Sequence, residues 1–161
     1  MKVKIKRLND KAVIPAKAHA TDAGFDLVAT SRTVDHDGNI VYGTGLAFEI
    51  PEGHVGYIFP RSSISKKNIM LTNAVGVIDA GYRGEVTFKF KANIQVGIYT
   101  SPQLNEYFYH KAQTFLDGKI YEVGDRIGQI IIMPIPEIEL EETDELSTTD
   151  RGTGGYGSTG K

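Results

Sequence analysis

Val86-Thr87-Phe88-Lys89-Phe90-Lys91-Ala92 places an apolar residue at every second position and a polar one between each pair. Side chains alternate between the two faces of a strand, so this stretch spells a strand with one face buried and the other in water. The same phase runs on through Ile94, Val96 and Ile98, and Leu46, Phe48 and Ile50 repeat it upstream. Ile130-Ile131-Ile132-Met133 lacks polar alternation and reads as a strand covered on both faces. Turn signals stand at Asp37-Gly38, Pro51-Glu52-Gly53 and Asp117-Gly118, the first and last suited to tight hairpins. Short strands, frequent turns and little helical periodicity predict an all-β sandwich or jelly roll. One segment departs from this: Ser101 and Pro102 resemble an N-cap and first-turn proline, and Leu104, Tyr107, Phe108 and Lys111 recur at helical spacing. A short helix is predicted near residues 102–112.

A chain of 161 residues normally forms one domain. Its net charge of -2 gives no basic excess for nucleic acid, so an anionic ligand needs locally placed Arg or Lys. The absence of cysteine excludes disulfides, thiolate metal sites and cysteine nucleophiles. Met1-Lys2-Val3-Lys4-Ile5-Lys6 alternates instead of building an apolar signal core, and no run approaches a membrane span. A cytoplasmic protein without membrane contact is expected. The chain divides into a β domain over 1–136, an acidic connector over 137–150, and a glycine-rich tail over 151–161.

That tail, Arg151-Gly152-Thr153-Gly154-Gly155-Tyr156-Gly157-Ser158-Thr159-Gly160, has one aromatic ring and no core of its own. It cannot offset an ordering entropy of about 1 to 2 kcal/mol per residue, so it is expected to be flexible until a ligand holds it. Gly152, Gly154 and Gly157 spell a dinucleotide fingerprint, and Gly155, Gly160 and Lys161 nearly spell a P-loop. Both motifs need a strand before them and a helix after them, and neither has that context here. What the tail offers is a guanidinium, a phenol ring, hydroxyls and open backbone N–H groups, a set suited to a planar base joined to a polyphosphate.

The richest chemistry lies in Asn73-Ala74-Val75-Gly76-Val77-Ile78-Asp79-Ala80-Gly81-Tyr82-Arg83-Gly84, an apolar, hairpin-like stretch carrying an amide, a carboxylate and a ring. Ordinary turn chemistry accounts for these residues; so does a narrow loop whose backbone at Gly76 and amide at Asn73 match a pyrimidine edge while Asp79 orients water. Pro60-Arg61-Ser62-Ser63-Ile64-Ser65 is either a Ser-capped turn or a phosphate-receiving helix start. Ala20-Thr21-Asp22-Ala23-Gly24-Phe25-Asp26-Leu27 is either a solvated turn or a holder of hard-cation waters. In Gly124-Asp125-Arg126-Ile127-Gly128-Gln129-Ile130 the polar Gln129 enters a buried strand and needs a partner.

These four segments and the tail, in this order, resemble the five motifs of the homotrimeric dUTPase family across nearly the whole chain. The resemblance implies a distorted jelly-roll subunit, a homotrimer with sites between subunits, and Mg2+-dependent hydrolysis of dUTP to dUMP and pyrophosphate. Asp79 matches the residue that activates water for attack on the α-phosphorus, and Tyr82 the ring below the deoxyribose. Asn73 and Gly76 match the uracil-reading positions. Arg61, Ser62, Ser63 and Gln129 match phosphate contacts, with Ser63 in place of a frequent glycine, so that only its backbone role carries over. Asp26 matches the carboxylate that orients Mg2+ through water. In the tail, Arg151, Gly157, Ser158 and Thr159 match the phosphate clamp and Tyr156 the ring over uracil.

Two positions depart from the pattern. Gly128 stands where the family usually has alanine, which reads as a minor change. Val86 to Gly124 is about twice the usual length, with an insert at about 97–118 resembling those of phage-borne members, some of which bind regulatory proteins. A regulatory partner through residues 100–116, and a host-cytoplasm location if the chain is phage-encoded, follow as expectations. The leading reading is a dUTP pyrophosphatase; the alternatives are a dCTP deaminase of the same fold, disfavoured because the full glycine-rich clamp and Asp79 suit phosphate cleavage, and a nucleotide-responsive regulatory protein.

Overall fold

The computed structural model describes residues 1–92 and 119–155. The helix expected near 102–112, the Asp117-Gly118 turn and the continuation through Ile94, Val96 and Ile98 lie outside the described residues. Within them the protein is all-β. The strands are β1 (Lys4–Arg7), β2 (Phe25–Val28), β3 (Ser31–Val34), β4 (Ile40–Gly43), β5 (Leu46–Glu49), β6 (His54–Pro60), β7 (Ile69–Leu71), β8 (Gly76–Ile78), β9 (Thr87–Ala92) and β10 (Arg126–Pro134). A 3-10 helix, Ser62–Lys66, follows β6.

Two four-stranded antiparallel sheets, ordered β2-β10-β6-β8 and β3-β4-β9-β7, and a two-stranded β1-β5 ribbon make a jelly-roll-like sandwich. The opening alternation decides the inner face: Val86, Phe88 and Phe90 are fully buried while Thr87, Lys89 and Lys91 are exposed. Phe90 and Tyr42 meet edge to face at 5.8 Å, and Tyr42 donates its hydroxyl to the Tyr121 carbonyl at 2.7 Å, so a buried phenol keeps a polar partner. The Asp37-Gly38 signal forms the β3–β4 turn: Gly38 sits at φ 79°, and the Asp35 carboxylate accepts from the Asp37 and Asn39 amides.

Two expectations change. β7 and β8 belong to different sheets, so the stretch from Asn73 is no hairpin; it carries the chain from one sheet to the other and continues as an edge strand pairing with β6. Burial along Ile130–Met133 falls from a buried Ile130 to Met133, which is 48% exposed. β2 pairs with β10 only as far as Ile130, so the last residues have β6 alone beside them, Ile131 is only partly buried and Met133 is exposed in the single chain.

The buried threonines tie this frame to the functional loops. Thr44 donates to the Val86 carbonyl at 2.7 Å and Thr30 to the Gly43 carbonyl at 3.1 Å. No buried side-chain N or O among the described residues lacks a hydrogen-bond partner. Val86 is therefore anchored where the segment carrying Asp79 and Tyr82 re-enters the core.

Candidate active site

The motif residues gather in two clefts with no lining residue in common. The first, about 290 Å³, is lined by Gly24, Asp26, Arg61, Ser62 and Gln129 among others. It forms because β10 runs between β2 and β6, placing Gln129 opposite both Asp26 and Phe59. Asp26 is the hub: Arg61 Nε donates to Oδ1 at 2.8 Å and Arg126 Nη1 to Oδ2 at 3.1 Å. Because Arg61 engages the carboxylate through Nε, its terminal nitrogens remain suited to an anion. Arg126 carries no signal of this role in the sequence. Its approach to Asp26 depends on the bulge between Arg126 and Gly128, a register feature without local sequence signal.

Gln129 is half-buried, and its amide makes one long contact, 3.5 Å, to the Pro60 carbonyl. It packs over Gly24, where a Cβ would lie 2.3 Å from Gln129 Oε1, so the glycine makes room for the amide. Arg61 is the N-cap of the 3-10 helix Ser62–Lys66 and gives it no side-chain cap; its carbonyl accepts the Ile64 amide at 2.9 Å. Ser62 lines the cleft, whereas the Ser63 hydroxyl lies 3.5 Å from that of Tyr121.

The second cleft, about 220 Å³, is lined by Asn73, Gly76, Asp79, Tyr82 and Glu85 among others. Gly76 is required by packing: a Cβ there would fall 2.3 Å from Ile58 Cγ1. Ala74 adopts φ 56° in the crossing loop, a left-handed conformation uncommon for alanine. Asp79 follows β8 directly and is exposed; its carbonyl accepts the Tyr82 amide at 3.0 Å, closing a turn that brings carboxylate and ring to one cleft. The Tyr82 hydroxyl donates to the Glu85 carbonyl at 3.0 Å.

Arg151 lies in an exposed turn, its Nε donating to the Gly154 carbonyl at 3.0 Å, and it lines neither cleft. Tyr156, Gly157, Ser158 and Thr159 lie outside the described residues, as do residues 100–116. Among the described residues no three His, Cys, Asp or Glu side chains form a metal-holding group, and no helix is long and apolar enough to cross a membrane.

The chain is 39% identical to the deoxyuridine 5'-triphosphate nucleotidohydrolase of Nautilia profundicola, covering all of both chains. A Staphylococcus bacteriophage 80alpha dUTPase solved with dUpNHpp superimposes with a TM-score of 0.74 at 28% identity, covering 99% of each chain; phage dUTPases are described with it as controlling transfer of virulence genes. A variant dUTPase from phage phi11 of S. aureus, described with a coordinated structural Mg(II) ion, gives 0.68 at 27% identity over 90% of this chain and 98% of that one. The dUTPase family model matches residues 10–103 and 114–160, spanning both clefts and the glycine-rich tail, and the chain belongs to the dUTPase family.

Proposed function

We propose that this protein hydrolyses dUTP to dUMP and pyrophosphate. The observation that carries the proposal is the turn after β8, which presents the Asp79 carboxylate and the Tyr82 ring to the cleft bordered by Gly76 and Asn73. The backbone of β8 and the Asn73 amide suit the donor and acceptor edge of uracil. A ring beneath the sugar disfavours a 2′-hydroxyl. Asp79 accepts a proton from water as its oxygen bonds to the α-phosphorus; the bond from that phosphorus to the bridging oxygen breaks, and pyrophosphate leaves. General-base assistance of this kind contributes roughly 10² to 10⁴ in rate.

Arg61, Ser62 and Gln129, with the backbone at Ser63, receive phosphate oxygens in the other cleft. A divalent ion such as Mg2+ would be carried mainly by the triphosphate, and the Asp26 carboxylate, a hard oxygen donor in this cleft, would orient its waters. When bound, Mg2+ would neutralise phosphate charge. The separation of the two clefts within one chain supports a homotrimer in which one subunit's Asp79 cleft meets another's Asp26 cleft. The connector over 137–150 can extend roughly 50 Å, against a radius of gyration near 15 Å, so Arg151, Tyr156, Gly157, Ser158 and Thr159 can close over a neighbour's nucleotide.

Incubation with dUTP, dCTP and UTP, followed by chromatography, tests the proposal. Formation of dUMP from dUTP supports it; ammonia release from dCTP would establish a deaminase instead, and no turnover would leave nucleotide sensing. The phage 80alpha relative favours a second role beside hydrolysis, a regulatory protein partner engaged through residues 100–116. Unchanged capture of such a partner after deletion of that segment would rule the segment out. Such a chain would work in the cytoplasm, the host's if phage-encoded.

A further inference from the structure

Behind the turn that bears Asp79 and Tyr82, the Arg83 guanidinium gathers the carbonyls its backbone leaves without ladder partners. Arg83 Nη1 donates to the Ala80 carbonyl at 2.5 Å and to the Tyr82 carbonyl at 2.9 Å. It lines a cleft on that side together with Lys4 and Glu49. There Lys4 pairs with Glu49 at 2.7 Å, and the Glu49 carboxyl is held below its usual range, first by the Lys4 hydrogen bond and in smaller part by the Arg83 charge. The other end of the turn is held differently: the Tyr82 hydroxyl donates to the Glu85 carbonyl, and the Glu85 carboxylate accepts the Gly45 amide at 2.6 Å. Arg83 is thus a side chain bonded to two carbonyls of the four-residue turn, and it lines a different cleft from the one that Asp79 and Tyr82 share.

We propose that Arg83 is a positioning residue for the reaction, bracing from behind the turn that aims Asp79 at water and Tyr82 at the sugar. The proposal rests on the dUTP-hydrolysis reading given above. Both bonds leave one nitrogen, Nη1, whose two N–H directions are fixed by the planar guanidinium, whereas an ammonium on a flexible stem rotates its donors. Misplacement of a catalytic group by about 1 Å can cost on the order of 10²-fold in rate.

The test compares Arg83→Met and Arg83→Lys with the unaltered full-length protein. Expected for Arg83→Met are a kcat on dUTP lowered roughly 10- to 100-fold, a smaller ratio of dUTP to UTP turnover, and faster hydrogen exchange at the Tyr82 amide, with Arg83→Lys intermediate in all three. A merely structural role would lower both nucleotides' turnover in proportion and leave their ratio unmoved, and that result would overturn the proposal. So would unaltered exchange at Tyr82. If Arg83→Met does not fold, Arg83→Lys decides: a reduced ratio upholds the brace and an unaltered ratio removes it. If the unaltered protein forms no dUMP, the reading of the reaction fails, and Tyr82 exchange still tests the brace.

Discussion

The ring of Phe88 occupies the space that a side chain on Gly128 would need: a Cβ at Gly128 would lie 2.1 Å from Phe88 Cε1 and 2.8 Å from the Phe59 carbonyl oxygen. β9 and β10 lie in opposite sheets, so this contact is where the two layers close together. Gly128, which the resemblance alone makes a minor change, is therefore a packing partner of Phe88.

Gly128→Ala is expected to destabilise the fold by about 1 to 3 kcal/mol, the usual range for overpacking. Adding Phe88→Leu should return part of that loss, the remainder reflecting the fixed Phe59 backbone. Urea melts of the two single variants and the double variant check this. Additive losses would show that the ring is not what excludes the methyl.

Asp79→Asn keeps the shape of the second cleft and removes the base. Turnover of dUTP should fall by roughly 10² to 10⁴, while titration calorimetry with dUpNHpp should show little change in affinity. Full hydrolytic velocity in this variant would take Asp79 out of the mechanism.

Truncation after Asp150 removes no residue of either cleft, so the melting curve should be unaltered. Stacking of about 1 to 3 kcal/mol and charge-assisted hydrogen bonds of about 1.5 to 3 kcal/mol are lost from the closed complex. kcat/KM should drop on the order of 10²-fold. Steady-state kinetics at low dUTP would read it, and full activity would contradict a clamping role for the tail.

The Lys89 ammonium, 2.8 Å from Asp35, together with the Asn39 and Asp37 amides, holds the Asp35 carboxyl far below the usual carboxylate range. A depressed carboxyl stabilises the fold above its unfolded value, about 3.9, and that contribution fades as pH falls from there toward the folded value. Asp35→Asn should therefore lower Tm at pH 7, with the gap to the unaltered protein narrowing below about pH 3.9. The Lys89 partner shifts upward and keeps its share until strongly alkaline pH. Melts followed by circular dichroism from pH 2 to pH 8 measure the gap.

Period-two patterning made the strands legible because alternation is a local property of a pleated backbone. Phe88, Phe90 and the Asp37-Gly38 turn stand where that pattern places them. The hairpin expected from Asn73 onward failed for the complementary reason. Gly and Asn mark a reversal of the chain without saying which sheet receives the next strand, and β8 goes to β6. Arg126 escaped notice because its approach to Asp26 arises from a bulge in the β2–β10 pairing, and Arg83 because its partners are carbonyls, which no sequence pattern displays.

By itself the sequence determined the fold class and the order of five chemistry-bearing segments, since strand alternation, turn residues and donor or acceptor identity are written residue by residue. Tertiary structure alone decided that Asp26, Arg61 and Gln129 share one cleft and Asn73, Asp79 and Tyr82 another, and that Gly128 must stay small beneath Phe88. Those facts depend on which strands pair and in what register, distances set between segments far apart in the chain.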